Sequence, residues 1–127
     1  MVRILLVENN VSFRKMLKVT LHLQFPLTMI EEAVDGNEAL KKIDDFLPAL
    51  IIMDIQLPDG SGLLLTQKIK EDHPEVIIGI LTNYGSQEYR EAALKYGANC
   101  VIAKNSWEEV ATLVKSISSD LANRTSN

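Results

Sequence analysis

The chain has little cysteine and no long apolar run. Cys100 is its one cysteine in 127 residues, so no disulfide can form within the chain, and this usage fits a reducing compartment. The apolar run near the start, Ile4–Val7, turns polar at Glu8 and is too short for a signal peptide or a membrane span. We therefore expect a cytoplasmic protein with no membrane partner.

The chain also lacks blocks of like charge, repeats and low-complexity segments. Thirteen basic and 17 acidic residues give a net charge of −4, which argues against a nucleic-acid-binding surface spread over the domain. We expect no direct contact with nucleic acid. Because 46% of the residues are hydrophobic, the chain can build one real core. We predict a single domain over residues 1–127, with a frayed tail at about 122–127.

Five short apolar runs alternate with five helical patterns. The predicted strands are Ile4–Val7, Met29–Ala33, Leu50–Asp54, Val76–Leu81 and Cys100–Ile102. Three of the four prolines, Pro26, Pro48 and Pro74, precede strands, where proline stops a helix. Such alternation predicts an α/β fold, with a flavodoxin-like, doubly wound, five-stranded parallel sheet of order 2-1-3-4-5 and five helices.

The helices are predicted from apolar residues that recur at helical spacing and would face the core. The least regular of them is Leu63–Glu71, with Leu65 and Ile69 as its inner pair. The other stripes are Phe13, Met16, Leu17 and Leu21; Ala39, Leu40, Ile43 and Leu47; Tyr89, Ala92, Ala93 and Tyr96; and Trp107, Val110, Val114, Ile117 and Leu121.

Asp54 is the most informative single residue. It ends the apolar run Leu50–Met53, which indicates a strand buried on both faces, and a Pro/Gly-containing loop follows it. In open parallel sheets, ligands bind outside the carboxyl ends of the strands. Asp54 is thus a candidate nucleophile, although an aspartate at this place could also simply end the strand or cap the turn.

Polar residues follow the other inner strands as well. Glu8, Asn9 and Asn10 come after the first strand, Thr82 and Asn83 after the fourth, and Lys104, Asn105 and Ser106 after the fifth. Acids, amides, a hydroxyl and an ammonium would converge on one crevice with Asp54. Such a set suits phosphoryl transfer to a carboxylate, with a divalent cation on oxygen ligands and a lysine to neutralise the phosphoryl oxygens.

In these residues the chain resembles a response-regulator receiver domain of two-component signalling. The resemblance runs from about Arg3 to Leu121. The motifs that carry it are Leu6-Val7-Glu8-Asn9-Asn10, Gly36-Asn37-Glu38-Ala39-Leu40, Met53-Asp54 followed by Ile55-Gln56-Leu57-Pro58-Asp59-Gly60, Leu81-Thr82, Ala92-Ala93-Leu94-Lys95-Tyr96-Gly97-Ala98 and Ala103-Lys104. Each motif is weak alone, and together, in this order and spacing, they are strong.

The resemblance implies that Asp54 accepts a phosphoryl group from a histidine kinase or a phosphotransfer protein. Thr82 and Lys104 would bind the phosphoryl oxygens. Mg2+ would be held by Glu8, Asn9, Asp54 and the backbone carbonyl of Gln56. Such a protein is not an enzyme beyond self-catalysed phosphoryl transfer and autodephosphorylation.

The partners implied are the phosphoryl donor and a downstream protein whose identity the sequence does not give. Whether the chain forms a homodimer is left open. Leu57–Gly62 and Lys104–Ser106 resemble receivers that are usually fused to helix-turn-helix output domains. Our leading expectation is nevertheless a stand-alone, single-domain receiver.

Two positions depart from the family pattern. Asn9 lies where a metal-ligating carboxylate is usual, so we expect weakened Mg2+ binding. Val101 lies where many receivers have a switch Tyr or Phe, and Tyr84 is a substitute to consider, although an ordinary loop tyrosine is the simpler interpretation. These departures keep open an alternative, a degenerate receiver that binds a partner without phosphorylation.

A third hypothesis is an enzyme of the same topology. A flavin or nucleotide protein is disfavoured because no glycine-rich phosphate loop follows the first strand. An aspartyl phosphatase would want a second acid two residues after its nucleophile, and Gln56 occupies that position.

Overall fold

The structure is a computed structural model that describes residues 1–83 and 87–125. Its elements are β1 (Arg3–Val7), α1 (Val11–Gln24), β2 (Met29–Ala33), α2 (Gly36–Phe46), β3 (Leu50–Asp54), β4 (Gln56–Leu57), β5 (Gly60–Ser61), α3 (Gly62–Asp72), β6 (Ile77–Thr82), α4 (Gln87–Lys95), β7 (Cys100–Ala103) and α5 (Trp107–Thr125). Side chains are described as far as Asp120.

The main sheet has the order β2-β1-β3-β6-β7, and all of its pairings are parallel. In terms of the five predicted strands this is the order 2-1-3-4-5, so the predicted flavodoxin-like topology is confirmed. The two short strands β4 and β5 form a separate antiparallel pair directly after β3. This small hairpin was not predicted.

The core lies on both faces of the sheet, because successive residues of a strand point to opposite sides. Leu5, Ile51 and Met53 pack with residues of α2, α3 and α4, whereas Leu6 and Ile52 pack with α1 and α5. Every residue of β3 is buried. Asp54 therefore ends a strand that is covered on both faces, as the apolar run predicts.

Side-chain caps fix where the helices begin after their strands. Asn10 accepts a hydrogen bond from Phe13 N at 2.9 Å, Asp35 accepts one from Glu38 N at 2.9 Å, and Ser61 accepts one from Leu63 N at 3.1 Å. These are the residue types that satisfy the free N–H groups of a first helical turn. The turn from β1 into α1 is thereby short, and it carries Glu8 and Asn9 at the edge of the sheet.

The predicted bounds of the five strands and of the third helix agree with the structure to within one residue, but three predicted core residues are wrong. Tyr89 in α4 is 42% exposed. Met16 is 48% exposed, because the buried stripe of α1 runs through Arg14, Leu17 and Leu21. Leu47 is 58% exposed, because α2 ends at Phe46 and Leu47 turns the chain away in the left-handed conformation, with φ of 52°. The apolar stripe predicted for α2 from residue spacing alone thus extends one residue past the end of the helix.

The last helix, α5, is helical through Thr125. The tail that we expected to be frayed, about 122–127, includes residues 126 and 127, which lie outside the described residues, as does the side chain of Leu121. Within residues 1–83 and 87–125, no helix is both long enough and apolar enough to cross a membrane.

Candidate functional site

The carboxyl ends of four strands meet at one edge of the sheet. The strand register sets Val7 beside Met53, Asp54 beside Leu81, and Thr82 beside Ala103. Glu8 and Lys104 each follow directly on one of these strand ends. The structure thus brings Glu8, Asp54 and Lys104 into contact, as the sequence predicts.

Lys104 lies between two carboxylates. Its Nζ is 2.8 Å from Oδ2 of Asp54 and 2.7 Å from Oε1 of Glu8, and its side chain is 18% exposed. Burial alone would lower the pKa of Lys104, but the contacts with Asp54 and Glu8 outweigh burial and raise the pKa. Lys104 is therefore a fixed positive charge in this site, which we call the site cluster (Glu8, Asp54 and Lys104).

Glu8 is the most deeply buried acid of the site cluster, with 1% of its surface exposed. Burial raises the pKa of its carboxyl, and the neighbouring Asp54 adds to the rise, although Lys104 and the Asn10 N–H oppose it. Oε2 accepts a hydrogen bond from Asn10 N at 3.2 Å. Oε1 touches the Lys104 ammonium as an ion pair but receives no aligned hydrogen bond in the described part of the chain.

Asp54 is buried, and its two oxygens have different partners. Oδ1 accepts a hydrogen bond from Gln56 N at 3.1 Å, whereas Oδ2 is paired with Lys104. The simpler hypothesis, that Asp54 caps the turn, thus accounts for Oδ1 but not for Oδ2. A turn does not require the pairing with a lysine 50 residues away.

The residues around Asp54 bring an additional set of oxygen atoms. Asn9 and Gln56 are exposed beside the buried carboxylates. Within the described ranges, no three His, Cys, Asp or Glu side chains cluster as a metal site. Any cation here would therefore depend on two carboxylates, the Asn9 amide oxygen and a backbone carbonyl, an all-oxygen set of the kind that hard divalent ions prefer.

Two residues of α1 to which we assigned no role in the site also border it; one of them, Phe13, was predicted only as a core residue. The Lys104 ammonium lies 5.2 Å from the centroid of the Phe13 ring, within the range of a cation–π contact. Arg14, which is buried, donates from a terminal guanidinium nitrogen to the backbone carbonyl of Glu8 at 2.7 Å. A basic residue in helical spacing with Leu17 and Leu21 is the signal that could have revealed Arg14, because a buried cation needs a partner.

The partner of Arg14 is Glu32, near the end of β2, which also pairs with Lys18. We call Arg14, Lys18 and Glu32 the flanking cluster. Glu32 Oε1 is 2.9 Å from Arg14 Nε, and Oε2 is 3.2 Å from Lys18 Nζ. Partial burial opposes ionisation of Glu32, but the hydrogen bonds from Arg14 and Lys18 outweigh it and lower the pKa of the carboxyl.

The remaining predicted residues lie where β6 and β7 end. Thr82 is buried as the last residue of β6, and its backbone carbonyl accepts from Lys104 N at 3.0 Å. Val101 is buried in β7, where it packs in the core. Tyr84, the considered substitute for a switch aromatic, lies outside the described residues.

Comparisons with known proteins agree with this geometry. Residues 4–118 match the family model of the response regulator receiver domain. The oxygen regulatory protein NreC of Staphylococcus haemolyticus is 36% identical over 108 residues, and that of Staphylococcus carnosus is 35% identical over the same length. Each match covers 84% of this chain and 50% of the relative, so the chain spans about half the length of the curated relatives it matches.

Solved structures show the same fold. A putative response regulator from Chloroflexus aurantiacus superposes with a TM-score of 0.81 at 28% identity, covering 91% of this chain and 95% of that one. A CheY-like receiver domain protein from Methanospirillum hungatei gives 0.81 at 28% identity, covering 99% and 98%. The signal receiver domain of a DNA-binding response regulator from Colwellia psychrerythraea gives 0.89 at 19% identity, covering 94% and 99%, and supports the fold alone. The chain therefore belongs to the response regulator receiver domain family.

Proposed function

We propose that Asp54 accepts a phosphoryl group from a phosphohistidine of a histidine kinase or phosphotransfer protein in a cytoplasmic two-component relay. The observation that carries this proposal is the Asp54–Lys104 pair, 2.8 Å apart at the carboxyl edge of the sheet, with Thr82 at the end of the neighbouring strand. A carboxylate at this place, paired with a cation and next to a strand that ends in threonine, suits attack on phosphorus more than it suits a structural role.

In the proposed step, an oxygen of Asp54 forms a bond to phosphorus while the P–N bond of the phosphohistidine breaks. The electron pair of that bond stays on the imidazole nitrogen, which takes up a proton, and an acyl phosphate remains on Asp54. Loss of the group is hydrolysis, in which water attacks phosphorus and the Asp54 carboxylate is regenerated. Because little acid–base chemistry is needed, positioning and charge neutralisation dominate.

Lys104 and Thr82 are assigned to the phosphoryl oxygens. Before the reaction Lys104 neutralises Asp54, and after it the same ammonium can bind a phosphoryl oxygen without leaving the site. Thr82 is buried at the end of β6, where its hydroxyl is assigned to donate to a second oxygen. The Phe13 ring lies under the Lys104 ammonium and limits where that charge can move.

The donor set fits Mg2+. Glu8 Oε1 is a buried carboxylate oxygen that lies 2.7 Å from the Lys104 ammonium and receives no aligned hydrogen bond in the described part of the chain, so it is an oxygen of the kind that ligates hard cations. Glu8, Asn9, Asp54 and the Gln56 carbonyl would hold the ion. When bound, Mg2+ neutralises the carboxylates and the incoming phosphoryl oxygens. Since Asn9 contributes no charge, we propose weakened binding.

The output is proposed to be a changed surface formed by α4, α5 and β7, which a downstream protein recognises. Lys104 lies between β7 and α5, so a charge change at Asp54 reaches these two elements through one side chain. The match covers 50% of the length of the relative from Staphylococcus haemolyticus. We propose that this chain acts as the receiver part of that relative does, without assigning it that relative's pathway.

A second candidate is a phosphorylation-independent binding module. The specific observations in its favour are Asn9, which removes a carboxylate from the metal donors, and Val101, which is a core residue with no ring to switch. Under this alternative, the site cluster persists as a structural ion pair.

Intact-mass measurement after treatment with acetyl phosphate, with and without Mg2+, separates the two candidates. The proposal predicts one added phosphoryl mass that depends on Mg2+ and is lost in Asp54→Asn. An unmodified wild-type mass at all Mg2+ concentrations would favour the binding module.

A further inference from the structure

We infer that Asp59 is a positioning residue for the divalent cation, because its carboxylate fastens the loop that carries the Gln56 carbonyl to the first turn of α2. This inference rests on the proposed function, in which that carbonyl is a metal ligand.

The loop after Asp54 is a closed hairpin. Gln56 pairs with Ser61 and Leu57 pairs with Gly60 in the antiparallel β4–β5 ladder. Gly62 N donates to the Ile55 carbonyl at 2.8 Å, which closes the base of the hairpin. A Cβ at Gly62 would lie 2.2 Å from the Asp54 carbonyl oxygen, so only glycine permits this approach. These contacts connect the hairpin residues into one unit.

Asp59 is at the tip of this unit, and it is bound to another element. Oδ1 accepts a hydrogen bond from Gly36 N at 2.8 Å, and Oδ2 accepts one from Asn37 N at 2.9 Å. These donors are the free N–H groups of the first turn of α2, where a negative charge is favoured. A Cβ at Gly36 would lie 3.2 Å from Asp59 Oδ1, a tight contact that glycine avoids.

Helix capping alone does not explain why Asp59 is there. The capping position of α2 is already filled by Asp35, whose side chain accepts from Glu38 N. Asp59 comes from a segment 23 residues away and satisfies two further N–H groups. Its distinguishing effect is to join the hairpin to α2, so that both ends of the hairpin are fixed: the base at Asp54 and the tip at α2.

The consequence concerns Gln56. Its N–H is held by Asp54 Oδ1, so the orientation of the whole hairpin decides where the Gln56 carbonyl lies relative to the Asp54 carboxylate. Groups that orient metal ligands from outside the donor set typically change affinity by about 10- to 100-fold. Asp59 acts through a short hairpin rather than on the ligand itself, so we expect an effect at the low end of that range.

The test is a Mg2+ titration of the unphosphorylated protein, followed by the NMR shifts of the backbone amides of Asn9, Asp54 and Gln56. Asp59→Ala should weaken Mg2+ binding by about tenfold. Asp59→Asn keeps one acceptor oxygen, so it should fall between Asp59→Ala and the wild type. This second variant also serves if Asp59→Ala does not fold.

Asp35→Ala is the matched control. It removes a side-chain acceptor from the same helix start and should lower the thermal midpoint, as Asp59→Ala does. It leaves the hairpin attached, however, so Mg2+ affinity should stay at the wild-type value. Equal weakening in Asp35→Ala and Asp59→Ala would overturn the positioning role, as would unchanged affinity in Asp59→Ala. Absence of Mg2+-dependent shifts in the wild type would instead refute the metal site itself, and the inference with it.

Discussion

Two charge clusters lie side by side at the carboxyl edge of the sheet, and their charges are balanced in opposite ways. The site cluster has two acids and one cation, whereas the flanking cluster has one acid and two cations. The pKa of Glu8 is raised, mainly by burial, while the hydrogen bonds from Arg14 and Lys18 lower the pKa of Glu32 against its partial burial. In the flanking cluster, each oxygen of Glu32 is paired with a cation of its own. In the site cluster, two carboxylates share one cation, so a negative charge remains that a further cation can neutralise.

Arg14 connects the two clusters. It pairs with Glu32 and also donates to the Glu8 carbonyl, while Glu8 N donates to the Ala33 carbonyl at 3.0 Å. Through Arg14, the flanking cluster thus holds the backbone of Glu8 in the site cluster. Functional sites commonly retain charges that are unfavourable for stability, and the surrounding structure offsets that cost.

The largest expected effect is that of removing the cation from the site cluster. Lys104→Met should reduce the initial rate of phosphorylation by acetyl phosphate about 100-fold, because one preorganised positive contact to the phosphoryl group is lost. Intact mass against time measures this rate. Lys18→Met, which removes a cation from the flanking cluster, is the control and should leave the rate unchanged. Similar rates in the two variants would erase the distinction between the clusters.

Removing the acid of the flanking cluster should affect stability. Glu32→Gln should lower the free energy of unfolding by about 1–2 kcal/mol at neutral pH, since two charge-assisted hydrogen bonds are weakened. The pKa of Glu32 is lowered in the fold, so its contribution is present above the ordinary glutamate value of about 4.3 and is lost as the pH falls through the folded pKa. Urea unfolding near neutral pH and again in acid measures both parts. If the difference in free energy of unfolding between wild type and Glu32→Gln were the same in acid as at neutral pH, this assignment would be wrong.

Adding an acid to the site cluster should strengthen the cation site. Asn9→Asp should tighten Mg2+ binding by about tenfold, because ligand charge raises the affinity of oxygen sites for hard cations. Calorimetric titration with MgCl2 measures this change. Asn10→Asp adds the same charge one residue further on, where the side chain is engaged in capping α1, and should have a smaller effect. Equal tightening would show that charge near the site suffices and that Asn9 is not a ligand.

The smallest expected effect is a gain in stability. Glu8→Gln should raise the metal-free free energy of unfolding by about 0.5–1 kcal/mol, since a buried charge is replaced by a neutral amide. The pKa of Glu8 is raised in the folded protein, so Glu8 lowers the free energy of unfolding at pH values above its folded-state pKa. This destabilisation disappears as the pH falls to the pKa that Glu8 has in the unfolded chain. The gain should therefore vanish in acid. Urea unfolding with a chelator measures it, and destabilisation by Glu8→Gln would mean that the pair with Lys104 outweighs the cost of burial.

The sequence was sufficient for the sheet and for the site cluster. Apolar runs bounded by proline and polar residues mark the strands, and a parallel topology brings their carboxyl ends together, so Asp54, Glu8 and Lys104 could be grouped before any distance was known. Local pattern and topology act in the same direction here.

The connections between elements could not be predicted in this way. The contact of Asp59 with α2 joins residues 22 and 23 positions apart, and it depends on a hairpin whose strands have two residues each. The contact of Arg14 with the Glu8 carbonyl depends on how closely α1 packs on the sheet. Such contacts follow from the tertiary path of the chain: spacing can mark Arg14 as a buried cation, but it does not identify the groups that Arg14 or Asp59 contacts.

One experiment tests directly whether Asp54 carries the phosphoryl group. After reaction with acetyl phosphate and Mg2+, borohydride reduces an aspartyl phosphate to homoserine, and peptide mass spectrometry identifies the position. If Asp54 is the acceptor, homoserine forms at position 54 in the wild type and is absent in Asp54→Asn. Homoserine at another position, or its absence from a protein that has gained a phosphoryl mass, would contradict this assignment.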